Sequence, residues 1–403
     1  MKKFATVSAV ASLCLISFRA RSADWPNWRG PDHNGTSKET GWSARWPAEG
    51  PKTLWKAKVG TGFASFAVSN GRVYTSGNAK ENAKETDTVF CFDAATGKEL
   101  WKHSHAANLD PKYYDGGPSA TPTVAGDRVY TFSKRGVVNC LEAAKGTVIW
   151  SKNLAEELKA KMPTWGFAGS VLIEGDLALL NIGSAGAALD TKSGKVIWSS
   201  GPEEAGYSTP APIAVGGKRA AAFATKQHVV AINVADGKEL WRFTWKTTYD
   251  VNAADPIFSG SKVFISSGYG HGGGVFDTGG KPPKAVWENK EMRNHMNSCV
   301  LWQGHLYGVD ESQLRCLDFG TGAVKWTEKA TGKGSLVLAD GKLIVLGEKG
   351  ELMVAPASPD GFKPVARAQV LGGRCWTTPV LANGKIYCRN AAGDVVCVDA
   401  GGN

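Results

Sequence analysis

A spacing of eight residues, from an acid or amide through a glycine to a tryptophan, recurs along this chain and constrains its fold more than any other feature. The glycine lies four positions after the acid or amide, and the tryptophan lies four positions after the glycine. Five copies keep this spacing: Asp93/Gly97/Trp101, Glu142/Gly146/Trp150, Asp190/Gly194/Trp198, Asn233/Gly237/Trp241 and Asp318/Gly322/Trp326. A sixth copy, from Asp277 to Trp287, carries a two-residue insertion. Such a period indicates one structural unit used many times.

Each copy of the repeat predicts a small antiparallel sheet. The acid or amide caps a tight turn through its side chain, and the glycine takes the position with positive φ. Upstream of the turn lies a second hairpin signal, such as Asp340-Gly341 or Asn383-Gly384 between apolar runs. Four antiparallel strands in roughly 40–50 residues are typical of one blade of a β-propeller.

The positions of the outermost strands predict the number of blades. Eight positions fit: Trp55, Trp101, Trp150, Trp198, Trp241, Trp287, Trp326 and a degenerate site at residues 365–366. Seven blades remain an alternative if residues 333–370 are irregular. The chain ends with only three strands, so we expect residues 54–59 to supply the fourth strand of the last blade. The sequence therefore predicts an all-β, eight-bladed propeller of residues 53–403, with an N-terminal arm of residues 23–52 packed on it.

The N-terminus predicts export. Lys2 and Lys3 precede a mostly apolar run over residues 4–18, and Ala20-Arg21-Ser22 offers a cleavage site. We interpret residues 1–22 as a cleaved signal peptide, which implies a periplasmic or secreted protein. The apolar run is too short to span a bilayer, and no later segment is long enough, so no membrane span is expected.

The charge pattern gives no sign of a nucleic-acid partner. The formal net charge is +10, and residues 1–22 hold four basic and no acidic residues, which leaves +6 for the remainder. The chain has no run of Lys and Arg and no basic helix. A charge of this size weakly favours acidic partners or polymers, although the simpler interpretation is that it only keeps the protein soluble. We expect a monomer, because closed propellers are usually stable alone.

Seven cysteines follow residue 22, and their spacing argues for buried packing. One repeat position, two residues before the turn acid, holds Cys91, Cys140, Cys316 and Cys397. Cysteine fits such a slot as a small hydrophobe, and equivalent positions on different blades are too far apart to bridge. A disulfide among Cys299, Cys375 and Cys388 remains open. The cysteines have neither haem-attachment nor zinc-ligand spacing.

The turn, glycine and tryptophan unit resembles the tryptophan-docking repeat of the PQQ-binding-like (quinoprotein alcohol dehydrogenase-like) β-propellers. The resemblance covers residues 53–399. Residues 24–31 resemble the N-terminal segment of exported members, which implies that Trp25 and Trp28 pack across the propeller face. The same repeat builds enzymes and non-catalytic scaffolds, so the resemblance implies the fold and leaves the activity open.

Propellers bind ligands in a funnel at one end of the central axis, lined by the starts of the innermost strands. In this chain those stretches are rich in aromatic, hydroxyl and amide side chains. The candidate binding residues are Trp165, Tyr207, Tyr249, Asn252, His295, Arg374 and Trp376.

The resemblance also implies a cofactor arrangement. Enzymes of the family hold PQQ against a tryptophan, bind calcium or a lanthanide through oxygen ligands and use an aspartate as the base. Here Trp165 or Trp376 would stack on PQQ, Asp255 would be the catalytic base or a metal ligand, and Asn297 would be a metal ligand. The chain departs from the enzymes in lacking an adjacent Cys-Cys pair and long insertions. Asp255, which precedes Pro256, also fits a simple turn cap.

We therefore expect a non-catalytic exported propeller that binds protein segments or polymeric ligands on the funnel face. Similar propellers act in outer-membrane protein assembly, although this chain lacks the lipidated cysteine of the tethered scaffolds. One alternative is a small PQQ- and calcium-dependent alcohol or sugar dehydrogenase. A second, suggested by the aromatic funnel alone, is a polysaccharide-acting hydrolase or lyase.

Overall fold

The protein is an all-β, eight-bladed propeller, as the repeat predicts. A computed structural model describes residues 23–81, 84–329 and 331–401. Eight sheets, each with four antiparallel strands in meander order, make up this part of the chain. The seventh sheet is regular, which excludes the alternative of seven blades. The interpretation of residues 1–22 as a signal peptide lies outside the described residues.

Two short strands, β1 (Thr36–Ser37) and β2 (Thr53–Lys58), precede the first complete blade. The strands of blades 1 to 4 are β3 (Ala67–Ser69), β4 (Arg72–Glu81), β5 (Lys84–Asp93) and β6 (Glu99–Ala106); β7 (Thr123–Ala125), β8 (Arg128–Phe132), β9 (Val137–Glu142) and β10 (Val148–Asn153); β11 (Leu172–Glu174), β12 (Leu177–Leu180), β13 (Ala187–Asp190) and β14 (Val196–Ser199); β15 (Ala211–Val215), β16 (Lys218–Ala224), β17 (His228–Asn233) and β18 (Glu239–Thr244). One helical turn, α1 (Leu154–Glu157), follows β10.

The remaining blades complete the ring. Their strands are β19 (Ile257–Ser259), β20 (Lys262–Ser267), β21 (Gly272–Asp277) and β22 (Lys284–Asn289); β23 (Val300–Trp302), β24 (His305–Asp310), β25 (Gln313–Asp318) and β26 (Val324–Glu328); β27 (Ser335–Ala339), β28 (Lys342–Leu346), β29 (Glu351–Pro356) and β30 (Ala366–Gln369); β31 (Val380–Ala382), β32 (Lys385–Arg389) and β33 (Asp394–Asp399). In blades 1 to 7 the first of the four strands is innermost, and in blade 8 the innermost strand is β31.

The N-terminal strand closes the ring, which confirms the predicted latch. Strand β2 pairs antiparallel with β33, with Trp55 opposite Cys397 and Lys58 opposite Asp394. Blade 8 therefore takes its outermost strand from the start of the chain and its other three strands from the end. This pairing leaves no unpaired strand at the seam between the two ends of the propeller.

The repeat tryptophans join neighbouring blades. The indole Nε1 of Trp101 donates to the backbone oxygen of Ala143 in the next blade at 3.0 Å. A Cβ placed on Gly146 would lie 2.5 Å from the same indole ring, so the ring covers the turn glycine. The tryptophans that make the equivalent hydrogen bond are Trp55, Trp150, Trp198, Trp287 and Trp326. Within the described chain Trp241 Nε1 has no acceptor, and the turn of the next blade is the one that carries the insertion.

None of the seven cysteines in the described residues forms a disulfide, and all are buried. The alternative of a bridge among Cys299, Cys375 and Cys388 is therefore not realised. Burial raises the pKa of the Cys299 and Cys375 thiols to about 12, so both stay protonated at neutral pH. These thiols act as core side chains rather than nucleophiles.

Residues 24–39 cross the innermost strands of several blades. Trp25 is fully buried and forms an antiparallel bridge with Val68 of β3. Strand β1 pairs in parallel with β27 and adds a fifth strand to the seventh sheet. Three further contacts of this segment are Pro26–Val124, Arg29–Cys299 and Gly35–Leu338.

His33 in this segment makes the stability depend on pH. Burial and the neighbouring Arg29 lower its pKa to about 4, against the opposing effect of Asp32. Between pH 4 and 6.5 the unfolded chain binds a proton that the folded chain does not, so stability falls as the pH falls through this window. Asparagine tolerates the φ of 54° at this position. We therefore expect His33→Asn to reduce the loss of free energy of unfolding on acidification by about 2 kcal/mol.

Chemical unfolding of wild type and variant at pH 7 and at about pH 4.5 measures the effect. The wild type should lose more free energy of unfolding on acidification than His33→Asn. Other histidines also have lowered pKa values, including His105 and His271. The free energy of unfolding of the variant therefore still falls on acidification, and the difference between the losses of the two proteins is the readout. Equal losses would contradict the prediction.

Candidate functional site

A cavity of about 280 Å³ lies where the innermost strands of all eight blades begin. Its lining comes mainly from the segments that precede these strands. The side chains that carry the following argument are Trp28, Phe63, Lys112, Tyr114, Trp165, Tyr207, Asp255, Tyr269, His295, Asn297, Lys333 and Trp376.

The wall of the cavity is aromatic. The rings of Phe63 and Trp376 are stacked, with centroids 5.8 Å apart and an interplanar angle of 29°. Trp165 meets Tyr207 edge to face at 5.8 Å. Such surfaces bind flat apolar groups and exclude water from them.

Both tryptophans of the wall are held by their N–H groups. Trp376 Nε1 donates to Glu348 Oε1 at 2.8 Å, and Trp165 Nε1 donates to the backbone oxygen of Lys112 at 3.1 Å. The hydrogen-bonding atoms of the indoles are therefore occupied by the protein. A ligand can therefore contact only those parts of the two rings that line the cavity.

Two lysines give the cavity a positive charge. Lys112 and Lys333 line it, and across the described ranges neither ammonium group has a carboxylate within ion-pair distance. Lys333 Nζ lies 5.7 Å from the centre of the Trp376 ring. At the rim, Arg374 is paired with Asp115 and lies 4.5 Å from the same ring. A ligand with an anionic group and an aromatic face would complement this arrangement.

A belt of five hydrogen bonds next to the cavity links blades 1 to 6. The backbone N–H of one blade donates to a side-chain oxygen at the equivalent position of the next blade, at 2.7–3.0 Å. The acceptors, in order, are Thr121, Ser170, Thr209, Asp255 and Ser298. Asp255 is the one carboxylate among them.

The Asp255 carboxylate is fully engaged. Its Oδ1 accepts the backbone N–H of Thr209 at 2.7 Å, and its Oδ2 accepts Trp28 Nε1 at 2.6 Å. Arg29 Nε lies 3.8 Å from Oδ2. Burial raises the pKa of Asp255, and the Arg29 charge opposes that shift.

Six of the predicted site residues line the cavity, and three do not. The six are Trp165, Tyr207, Asp255, His295, Asn297 and Trp376. Tyr249 is 63% exposed beyond the cavity, where its ring meets Tyr269 at 5.1 Å. Asn252 is fully buried and donates to three backbone carbonyls, among them Thr225 at 2.9 Å, so its amide is structural. Arg374 lies at the rim.

His295 is a half-buried member of the cavity lining. Its ring lies 4.4 Å from Tyr269, and within the described chain its Nδ1 is buried without a hydrogen-bond partner. Burial and the Lys333 charge lower the pKa of His295, which keeps the ring neutral at pH 7. A neutral ring can either donate or accept one hydrogen bond at this nitrogen.

The residues present do not fit a calcium ion beside PQQ. The Asn297 Nδ2 donates to the backbone oxygen of Trp376 at 3.0 Å, and its Oδ1 accepts the Thr378 hydroxyl at 3.3 Å. Both Asp255 oxygens are also occupied. Over residues 23–81, 84–329 and 331–401, no group of three or more His, Cys, Asp and Glu side chains could hold a metal ion. Calcium needs six to eight oxygen ligands, which these side chains do not supply.

Three further lining residues are absent from the predicted binding set, although the resemblance of residues 24–31 already implies that Trp28 packs across the propeller face. Trp28 comes from the N-terminal arm and reaches the cavity across a separation of 227 residues from Asp255. Lys333 precedes β27 in the blade with the weakest repeat, and Tyr269 lies in the turn between β20 and β21. Only the position of Lys333 before an innermost strand could have pointed to it.

Comparisons with known proteins place the chain in a family and leave its activity open. The family model for outer membrane protein assembly factor BamB matches residues 39–108 and 85–328, which together are more than two thirds of the chain. No curated protein matches the sequence. In the part of the chain that the structure describes, no helix is both long and apolar enough to cross a membrane.

Solved structures share the fold at low sequence identity. BamB from Moraxella catarrhalis aligns with a TM-score of 0.61 and 14% identity, over 86% of this chain and 97% of that one. Quinohemoprotein alcohol dehydrogenase from Comamonas testosteroni aligns with a TM-score of 0.68 and 12% identity, over 94% and 81% of the two chains. The corresponding enzyme ADHIIG from Pseudomonas putida HK5 gives 0.67 and 13%, over 94% and 80%. The repeat, the eight closed blades and the family match together show that this chain belongs to the BamB family of PQQ-like repeat β-propellers.

Proposed function

We propose that this protein is an exported, non-catalytic propeller whose funnel cavity binds extended protein segments carrying aromatic and acidic side chains. The observation that carries the proposal is the pairing of an aromatic wall with two lysines whose ammonium groups, across the described residues, form no ion pair with a carboxylate. Aromatic side chains of a segment would pack on Phe63 and Trp376, and its carboxylates would neutralise Lys112 and Lys333. Tyr113, which is 90% exposed, extends the aromatic surface at the rim.

The chemistry of the carboxylates disfavours both enzymatic alternatives. Hydrolysis of a polysaccharide uses a pair of carboxyl groups that flank the bond, and Asp255 is the single carboxylate that lines this cavity. A dehydrogenase base takes a proton from its substrate, whereas the two Asp255 oxygens point at the N–H groups of Trp28 and Thr209, so a substrate hydroxyl would have to share these oxygens with the protein.

A peptide titration tests the proposal. A short synthetic peptide that alternates aromatic and acidic side chains should bind the purified protein in calorimetry. Replacing its acids with lysine, or its aromatics with alanine, should weaken binding. The double variant Lys112→Gln/Lys333→Gln should bind the original peptide about tenfold more weakly, because two charge contacts are lost.

The matched control is Lys56→Gln/Lys102→Gln, which removes the same charge from exposed positions on the outermost strands β2 and β6. It should leave the affinity unchanged. Equal weakening by both double variants would show a general charge effect and contradict binding in the cavity. In a parallel arm, PQQ and Ca²⁺ should neither stabilise the protein nor support dye reduction with alcohols or sugars. A stabilisation near 2.7 kcal/mol at about a hundred times Kd would favour the dehydrogenase instead.

A further inference from the structure

The N-terminal arm lies at the far end of the channel from the mouth of the cavity. Phe63, Ser119 and Lys333 line the cavity in blades 1, 2 and 7. In each of these three blades, the residue five positions later in the chain contacts the arm. These contact residues are Val68, Val124 and Leu338. An extended chain rises about 3.3 Å per residue, so five residues separate the two levels by up to about 16 Å. The arm therefore crosses the channel on the side opposite to the funnel.

Trp28 reaches back from the arm into the cavity. Its side chain is half-buried and belongs to the cavity lining, although its chain neighbours Asn27 and Arg29 are buried in the arm. Its Nε1 donates to Asp255 Oδ2 at 2.6 Å. The indole thus forms the floor of the cavity and separates it from the arm.

Asp255, the belt residue that contacts Trp28, differs from the other belt acceptors because it has a second side-chain oxygen, which binds the arm. At the other belt positions a single hydroxyl oxygen accepts the N–H of the preceding blade, as Ser170 does for Thr121 at 2.9 Å. Asp255 performs the same task with Oδ1 and has a second oxygen, which the belt does not need. That oxygen takes the Trp28 N–H and faces Arg29, whose Nη2 donates to the backbone oxygen of Cys299 at 2.8 Å.

We propose that Trp28 is a ligand-contacting residue of the funnel site, held in place by Asp255 and Arg29, and that ligand binding and docking of the arm stabilise each other. The inference rests on the proposed function, since the ligand is the same aromatic and acidic segment. An aromatic side chain at the bottom of the cavity packs on the Trp28 indole. Release of the arm would remove this floor and open the channel. Docking of the arm therefore strengthens ligand binding, and ligand binding strengthens docking of the arm.

Three variants in the full protein test the role of Trp28, with the alternating aromatic and acidic peptide as the probe. Trp28→Ala removes the floor and should weaken binding about tenfold. Trp28→Phe keeps an aromatic floor and should stay within about threefold of the wild type. Asp255→Ser gives the belt its usual hydroxyl and removes the anchor of Trp28, so it should weaken binding. Because Arg29 loses its counter-charge, denaturant unfolding of this variant checks that the propeller is folded under the conditions of the titration.

Hydrogen exchange supplies a readout that a purely structural role would not move. Saturation with the peptide should slow exchange of the arm amides of Trp25 and Gly35 in the wild type, and this protection should disappear in Asp255→Ser. Two results together would overturn this inference and leave the proposed function intact. The folded Trp28→Ala variant would bind the peptide as tightly as the wild type, and the peptide would not protect the arm amides of the wild type. A wild type that does not bind the peptide would instead remove the proposed function and the inference with it.

Discussion

Replacing Gly146 with alanine should lower the free energy of unfolding by about 3–4 kcal/mol, whereas Gly126→Ala in the same blade should cost about 1 kcal/mol. Both glycines have positive φ, 72° and 60°, so both substitutions strain the backbone. The Cβ at residue 146 would lie 2.5 Å from the Trp101 ring, whereas nothing lies within 4 Å of a Cβ at residue 126. The extra cost is the displacement of the docked tryptophan.

Denaturant unfolding of the two variants beside the wild type measures this difference. The backbone strain is shared, so the gap between the two variants reports the packing between blades. Losses of the same size would show that the tryptophan does not hold the turn, and the physical account of the repeat would fail.

Arg389→Met should destabilise the protein by about 3–5 kcal/mol, because it breaks the side-chain bonds across the seam of the ring. Arg389 on β32 is fully buried and donates to the backbone oxygens of Ala64, Ser76 and Gly60, at 3.0, 2.6 and 3.1 Å. These acceptors belong to the segments around blade 1, so the side chain ties blade 8 to blade 1. Burial lowers its pKa to about 9.

Arg242→Met is the matched control for the seam. Arg242 is exposed on β18 and pairs with Glu239 in the same strand. An exposed ion pair contributes about 0.2–1 kcal/mol, so this variant should unfold almost as the wild type does. Equal and small losses for the two variants, measured by denaturant unfolding, would show that the Arg389 contacts do not stabilise the closure.

The repeat explains why the fold could be predicted from sequence. Turn residues and docking tryptophans act over a few positions, and their spacing is visible along the chain. The sequence predicts the closing strand at residues 54–59, and the strand is Thr53–Lys58. It places the degenerate outermost strand at residues 365–366, and the strand is Ala366–Gln369.

The site could be predicted less completely than the fold, because its main contacts join residues that are far apart in the sequence. A position before an innermost strand predicts proximity to the cavity, but it does not predict the direction of the side chain. Asn252 has such a position, yet its amide is turned towards backbone carbonyls. The contacts of Trp28 with Asp255 and of Arg389 with Ala64 join residues more than two hundred positions apart, and no local pattern encodes them.

Scaffolds and enzymes have this same fold, so the function depends on the side chains of the cavity. In this chain the aromatic wall is present, while Asp255 serves the belt and the arm and Asn297 is bound to neighbouring backbone. These commitments leave a surface suited to binding, in which the Asp255 and Asn297 side chains are held by the protein itself.

Photo-crosslinking with a benzophenone-bearing form of the alternating aromatic and acidic peptide tests the central claim most directly. Mass spectrometry of the adducts identifies which residues the bound peptide touches. Binding in the cavity predicts adducts at Tyr113, Met296 and their neighbours on the funnel face, and their loss in Lys112→Gln/Lys333→Gln. Adducts confined to the outermost strands or to the face that carries residues 24–39, and unchanged in the double variant, would contradict it.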